Sequence, residues 1–243
     1  MSDQIYGIHA IERLLKQSPH LIYHIDLIEG RLNPRLEKLR NQAEQLGVTL
    51  NRLPKTRFDK LDAVHQGVMA EVSPQTRFEE ADLIDWVSSN PQALVLFLDE
   101  VQDPHNLGAI LRSADAVGVD AIVIPKNNAV GVNPTVRKVA CGAAESVRLV
   151  VVTNLVRSMQ QLQQAGLWLV GLAGETDKTL YQADFTGPIG LVMGAEGTGL
   201  RRLTREHCDQ LVAIPMKGQV ESLNVSVATG VALYEVLRQR QSV

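Results

Sequence analysis

The sequence predicts an α/β protein, with a parallel-sheet domain following a smaller α/β domain. Three observations carry this. Six short apolar runs, at 93–98, 121–124, 149–152, 167–172, 189–193 and 211–214, fill the later part of the chain. Helical patterns lie between most of them, at 106–118, 133–145, 154–165 and 199–207, and apolar strands alternating with helices indicate a parallel sheet covered on both faces. Ahead of them, the proline-bearing polar stretch 73–79, Ser-Pro-Gln-Thr-Arg-Phe-Glu, reads as a linker.

In chain order, residues 7–17 carry the helical stripe Ile8, Ile11, Leu14 and Leu15. Residues 21–28 read as a strand. Asn33-Pro34 opens a helix that Gly47 closes, because asparagine caps and proline fits the first turn. Residues 48–53 form a short strand, 54–61 a helical turn and 67–72 a third strand. Residues 80–88 follow the linker as a helix. The expected division is 1–73, then a linker and connecting helix over 74–92, then 93–243.

Composition narrows the class. The 243 residues are 45% hydrophobic and 21% charged, which is enough to bury a core and unlike a disordered chain. No apolar run reaches the roughly 18 residues of a membrane span. The start, Met1-Ser2-Asp3-Gln4-Ile5-Tyr6, lacks the basic and then apolar segments of a secretion signal, so a cytoplasmic location is expected. Two cysteines, Cys141 and Cys208, and 6 scattered histidines give neither zinc spacing nor a disulfide scaffold, so no metal is expected. Net charge is −3, split as +1 over residues 1–75 (10 Lys/Arg against 9 Asp/Glu) and −4 over 76–243 (14 against 18). Overall charge therefore neither supports nor excludes RNA binding.

Three segments after the strands carry chemistry. In the first, Asp99 to Arg112, a polar loop enters a helix near Asn106. Asn106 and Arg112, six residues apart, lie on different parts of its surface, and the plain reading makes Asn106 a cap and Arg112 a solvated or salt-bridged arginine. In the second, Val192 to Leu200, Gly194, Gly197 and Gly199 permit close backbone approach to a ligand, with Glu196 among them. Its spacing is neither the dinucleotide fingerprint nor a P-loop. In the third, Ile214 to Gly230, a polar loop leads through Ser222, Leu223 and Asn224 into the last helix. The backbone of that turn suits an adenine edge, and Ser222 and Asn224 suit a polar substrate group.

Other features read as structural. Cys141, within Val-Ala-Cys-Gly-Ala-Ala, is expected as a buried thiol. His9, His65 and His105 stand alone. Arg201, Arg202 and Arg205 form a basic face, solvated or in contact with phosphate. The last helix offers Val225, Ala228, Ala232 and Val236 as an apolar stripe, which reads either as a helix packed on the core or as a face for a partner helix.

Asp103-Pro104-x-Asn106-x-Gly108-x-x-x-Arg112, Gly194-Ala195-Glu196-Gly197-x-Gly199, and Ile214-Pro215-Met216 through Ser222-Leu223-Asn224-Val225-Ser226 resemble, in order, the three signature motifs of the SpoU/TrmH (SPOUT) RNA ribose methyltransferases. Ile5-Tyr6-Gly7-Ile8-His9-Ala10 resembles the start of that family's small RNA-binding domain, which is similar to ribosomal protein L30e. The resemblance covers nearly the whole chain. It is greatest to members that methylate a guanosine ribose of 23S rRNA in the peptidyl-transferase P-loop.

The resemblance implies a deep trefoil knot in the parallel-sheet domain, a homodimer, and S-adenosyl-L-methionine held by Gly194, Ile214 and Leu223. It implies a catalytic set of Asn106, Arg112, Glu196, Ser222 and Asn224. The methyl arrives activated, so the 2′-hydroxyl nucleophile is the difficulty, met by positioning and proton removal. A guanidinium holds its proton tightly, so Arg112 is expected to stabilise the developing alkoxide and a neighbouring phosphate. Asn106 and Asn224 are expected to fix the ribose and Arg112. Glu196 is expected to anchor that network or to face the sulfonium. A nicotinamide-dependent dehydrogenase would need a glycine fingerprint where this chain has Asp103-Pro104-His105-Asn106. A tRNA ribose methyltransferase and a non-catalytic RNA-binding or ribosome-assembly factor are the alternatives.

Overall fold

The structure is a computed structural model, and it describes residues 3–17, 19–61, 63–73 and 78–241. The chain divides into two compact units, Met1–Arg77 and Phe78–Val243. Most of the expected linker, residues 74–77, lies outside the described residues.

The first unit runs β1 (Asp3–Tyr6), α1 (Ile8–Gln17), β2 (Ile22–Ile28), α2 (Pro34–Gln45), β3 (Thr49–Leu53), α3 (Lys55–Phe58) and β4 (Val68–Val72). Its sheet has the order β1-β4-β2-β3, with β2 and β3 parallel and the other pairs antiparallel. The sequence led to three strands here, and β1 is the fourth. Asp-Gln-Ile-Tyr has too little apolar alternation to announce a strand, and pairing along β4 makes it one. Asn33 caps α2 by accepting from the Leu36 amide at 2.9 Å. Ile11, Leu15, Ile25, Leu27 and Leu39 form the centre of the core between helices and sheet.

The second unit opens with α4 (Glu80–Ser89), followed by β5 (Leu94–Leu98), α5 (Pro104–Val117), β6 (Ala121–Pro125), α6 (Pro134–Ala140), β7 (Arg148–Val152), α7 (Leu155–Gln164) and β8 (Trp168–Leu172). It ends with β9 (Ile189–Met193), α8 (Arg202–Glu206), β10 (Gln210–Val212) and α9 (Val225–Gln241). Its six strands are all parallel, in the order β10-β8-β9-β5-β6-β7. The two-residue period of a strand separates β5 cleanly. Leu94, Leu96 and Leu98 join a core containing Ile110, Val136 and Leu233, from α5, α6 and α9. Val95 and Phe97 join the opposite core with Leu83 of α4 and Met159 of α7. Burying such a side chain contributes about 1.5–3 kcal/mol. α4, expected to be a connecting helix, thus belongs to this unit's core.

Strands β6 and β7 lie to one side of β5, and β9, β8 and β10 to the other. The winding therefore changes direction at β5 and β9. In open parallel sheets the crevice beyond the carboxyl ends at such a point receives ligands.

Two expectations are corrected by packing. Val225, Ala232 and Val236 are buried in this unit's own core, with Ala228 packed against it, so the stripe of α9 faces α5 and the sheet rather than a partner. Val227 and Tyr234 are the exposed large apolar residues of α9. The helix expected over 133–145 stops at Ala140, because Cys141 (φ 51°) and Gly142 (φ 97°) adopt left-handed backbone. Cys141 is therefore exposed at a helix end and not a buried thiol.

Candidate active site

The loops that follow β5 and β9, together with the segment entering α9, bring the three sequence motifs to the same end of the sheet. Asp103 caps α5 by accepting from the His105 amide at 2.9 Å, with Pro104 in the first turn. Asn106 is therefore not the cap. It sits inside the first turn, 7% exposed, and its side chain is free for contacts outside the helix.

Those contacts form a closed ring. The Asn106 amide donates to Glu196 Oε2 at 3.2 Å. The Asn224 amide donates to Asn106 Oδ1 at 2.9 Å and to Glu196 Oε1 at 3.1 Å. Asn224 Oδ1 accepts from the Ser226 amide at 2.9 Å and the Ser226 hydroxyl at 2.6 Å, which caps α9. These donors fix the amide's orientation, so its NH₂ must face the carboxylate. Three residues separated by 90 and 118 positions are interlocked by charge-assisted and amide hydrogen bonds. Ser226 was not among the expected site residues. Its signal was its place two residues beyond a capping asparagine.

Arg112 stands outside the ring. It is exposed, and its Nη1 lies 3.9 Å from Cys141 Sγ at the end of α6. The asparagines thus hold Glu196 and each other, not Arg112. Ser222 is exposed and makes no side-chain hydrogen bond among the described residues.

The glycine loop is built around Gly194. A Cβ there would meet the Gly199 carbonyl carbon at 2.1 Å and the Leu200 nitrogen at 2.3 Å. The Ala195 and Gly199 amides donate to each other's carbonyls at 3.2 and 3.0 Å, closing a tight hairpin whose tip carries Glu196. Gly197 and Gly199 have φ of 83° and 67°, which only glycine adopts freely.

Ile214 and Leu223, both half-buried, flank a segment that makes no backbone–backbone hydrogen bond among the described residues. Main-chain donors and acceptors over 214–223, between two apolar side chains, suit the edge and face of a purine. Among the described residues, no group of three or more His, Cys, Asp or Glu side chains is placed to hold a metal. No helix there is long and apolar enough to cross a membrane.

The expected basic face is neutralised. Arg201 pairs with Asp99 and Glu100, Arg202 with Glu206 at 2.8 Å, and Arg205 with Glu175 at 2.5 Å.

Comparison with known proteins gives concordant results. The model of the SpoU rRNA Methylase family matches residues 93–234, and that for RNA 2′-O ribose methyltransferase substrate binding matches residues 4–78. The 23S rRNA (guanosine-2′-O-)-methyltransferase RlmB of Escherichia coli K12 is 52% identical over 99% of this chain and 100% of its own. That of Pseudomonas syringae pv. tomato DC3000 is 53% identical over 99% of this chain and 97% of its own. The crystal structure of the SpoU methyltransferase AviRb from Streptomyces viridochromogenes, in complex with AdoMet, is 25% identical with a TM-score of 0.76, covering 100% of this chain and 92% of that one.

Proposed function

This chain belongs to the SpoU rRNA methylase family, and from that premise we propose that it transfers a methyl group from S-adenosylmethionine to the ribose 2′-hydroxyl of a guanosine in 23S rRNA. Full-length identity above one half to relatives bearing that activity carries the reading. The specific guanosine is one in the peptidyl-transferase P-loop. In our reading residues 1–73 recognise the RNA, supported by the substrate-binding match over 4–78, and 93–243 perform the chemistry. The fold carries the family's trefoil knot and an L30e-like first domain. The enzyme works as a cytoplasmic homodimer, for which exposed Val227 and Tyr234 are the available apolar surface on α9.

The cofactor supplies a methyl group on a positively charged sulfur. Gly194, Ile214 and Leu223 would hold it, with the unpaired main chain of 214–223 reading the adenine edge. Glu196, Asn106 and Asn224 form a preassembled polar frame at the mouth of the crevice. Asn106 and Asn224 orient the ribose, and the Glu196 carboxylate keeps both amides aimed. Arg112, outside the frame, reaches the RNA, where its planar fork stabilises the alkoxide that develops as the 2′-hydroxyl loses its proton, together with the adjoining phosphate. Ser222, exposed at the entry to α9, contacts the same ribose or its phosphate.

The experiment is methyl incorporation from labelled S-adenosylmethionine into unmodified 23S rRNA and tRNA, mapped by resistance of the 3′ phosphodiester to alkali. Incorporation at one 23S guanosine ribose is expected. Incorporation into tRNA alone would move the substrate to the alternative member of the family. No incorporation into either would support a non-catalytic RNA-binding role.

A further inference from the structure

We propose that Arg201, clamped by Asp99 and Glu100, is a positioning residue that sets the glycine loop where Glu196 reaches Asn106 and Asn224. The proposal rests on the function above only for what the loop serves.

Asp99 directly follows β5, and its side chain is fully buried. Its own amide donates to Met193 of β9 at 2.8 Å, so the two strand ends are tied at the point where the winding reverses. Its carboxylate meets three nitrogens of one residue, two of them through hydrogen bonds. The Arg201 main chain donates to Oδ2 at 3.0 Å, and the guanidinium Nε and Nη2 reach Oδ1 at 2.7 and 2.6 Å. Nη1 takes a second carboxylate, Glu100, at 3.1 Å. Consecutive carboxylates in a strand would point to opposite faces. The left-handed backbone at Glu100, φ 65°, turns both toward one guanidinium. Asn128 donates to the same Glu100 oxygen at 3.0 Å.

The loop between the clamp and β9 has little freedom of its own. Gly194 lies directly against Gly199, and Ala195 pairs with Gly199. A closed hairpin moves as one body, so its direction is set at its ends, Met193 in the sheet and Arg201 in the clamp. Glu196 rides on its tip. A buried carboxylate without its cation is costly, so Asp99 keeps Arg201 in place. The hydrogen bond to Asp99 raises the Arg201 pKa above the ordinary guanidinium value, in keeping with a permanent pair. An arginine so engaged is not free to hold phosphate, which separates it from Arg112.

Arg201→Ala alone would leave Asp99 buried and unpaired, and the fold would suffer with the loop. The decisive variant is therefore Asp99→Ala/Arg201→Ala, compared with Arg201→Ala and Arg201→Lys. The readouts are thermal midpoint, hydrogen exchange at the Ala195 and Gly199 amides, calorimetric affinity for S-adenosylmethionine, and kcat and KM for 23S rRNA. In the double variant the midpoint returns toward wild type. Exchange at both amides nevertheless accelerates, cofactor affinity and kcat fall by up to about 100-fold, and KM for RNA stays near wild type. Arg201→Lys, which keeps the charge but not the two-carboxylate fork, falls between. A double variant with wild-type exchange and affinity would overturn the proposal and leave the pair a matter of stability only. If the wild-type chain itself fails to bind S-adenosylmethionine, the functional reading falls, while amide exchange still decides the clamp.

Discussion

Asn106, Glu196 and Asn224 hold one another through three hydrogen bonds, whereas Arg112 and Ser222, drawn from the same motifs, have no comparable anchorage. Asn106 and Arg112 even share α5, yet one is buried in the ring and the other exposed on a different side. In the function we propose, the difference separates two kinds of work. A frame that must receive a ligand without rearrangement gains from amides and a carboxylate fixed in advance. A long cationic arm gains from being ordered only when the RNA arrives, because interactions made late lower the barrier rather than merely tightening binding.

The sharpest way to break the frame is Gly194→Val. A Cβ there would lie 2.1 Å from the Gly199 carbonyl carbon, far inside van der Waals contact with rigid backbone. The loop cannot close, and S-adenosylmethionine binding is expected to vanish in calorimetry. Wild-type affinity would show that the loop's shape is dispensable.

Asn224→Ala removes two donors from the ring and the cap of α9. Hydrogen bonds to a charged partner contribute about 1.5–3 kcal/mol, so kcat/KM should fall about tenfold or more, with a larger loss than Ser222→Ala gives. Equal losses would erase the distinction between frame and arm.

At the opposite end of the sheet Arg240 provides the contrast. Its half-buried guanidinium donates to the carbonyls of Phe185 (3.1 Å), Gln92 (2.7 Å), Ala93 (3.3 Å) and Gly187 (2.7 Å), and burial lowers its pKa. Arg240→Ala should cost about 2–3 kcal/mol of stability, or about 2–4 °C of midpoint per kcal/mol. Turnover below the midpoint should be unchanged. A loss of rate without a loss of stability would contradict the separation of the two ends.

Cys141→Ala should change least, within about twofold in rate, because oxygen is the acceptor and no thiol nucleophile is needed. Alkylation compares the two thiols directly. Burial, aided by Asp209 and Asp99, pushes the Cys208 pKa up to about 12, so this thiol stays neutral and unreactive at pH 8. Exposed Cys141 should be labelled and Cys208 spared. Labelling of Cys208 at pH 8 would place it in the wrong environment.

What was legible in the sequence follows a physical line. The strands of the second unit are continuous apolar runs because both faces of their sheet are covered, and runs such as Leu94–Leu98 and Ala121–Pro125 announce themselves. The motifs were legible as segments, and the structure brings Asn106, Glu196 and Asn224 from them together. The pairings were not legible, because the ring joins positions 106, 196 and 224 and the clamp joins 99 with 201. Local pattern carries no such pairing. An apolar stripe also says only that something covers it. For α9 the cover is α5 and the sheet, since Ala232, Leu233 and Val236 are fully buried. Cys141 was misjudged because helix periodicity cannot foresee the left-handed stop after Ala140.

The division between frame and arm is tested most directly at Arg112. Single-turnover methyl transfer to 23S rRNA by Arg112→Ala should fall about 100- to 1000-fold, the loss typical of one electrostatic contact to a developing charge. S-adenosylmethionine affinity, measured on the same preparation, should stay within about twofold of wild type, and Arg112→Lys should restore little of the rate because an ammonium lacks the fork. Wild-type turnover in Arg112→Ala, or a fall in rate matched by an equal fall in cofactor affinity, would contradict the account.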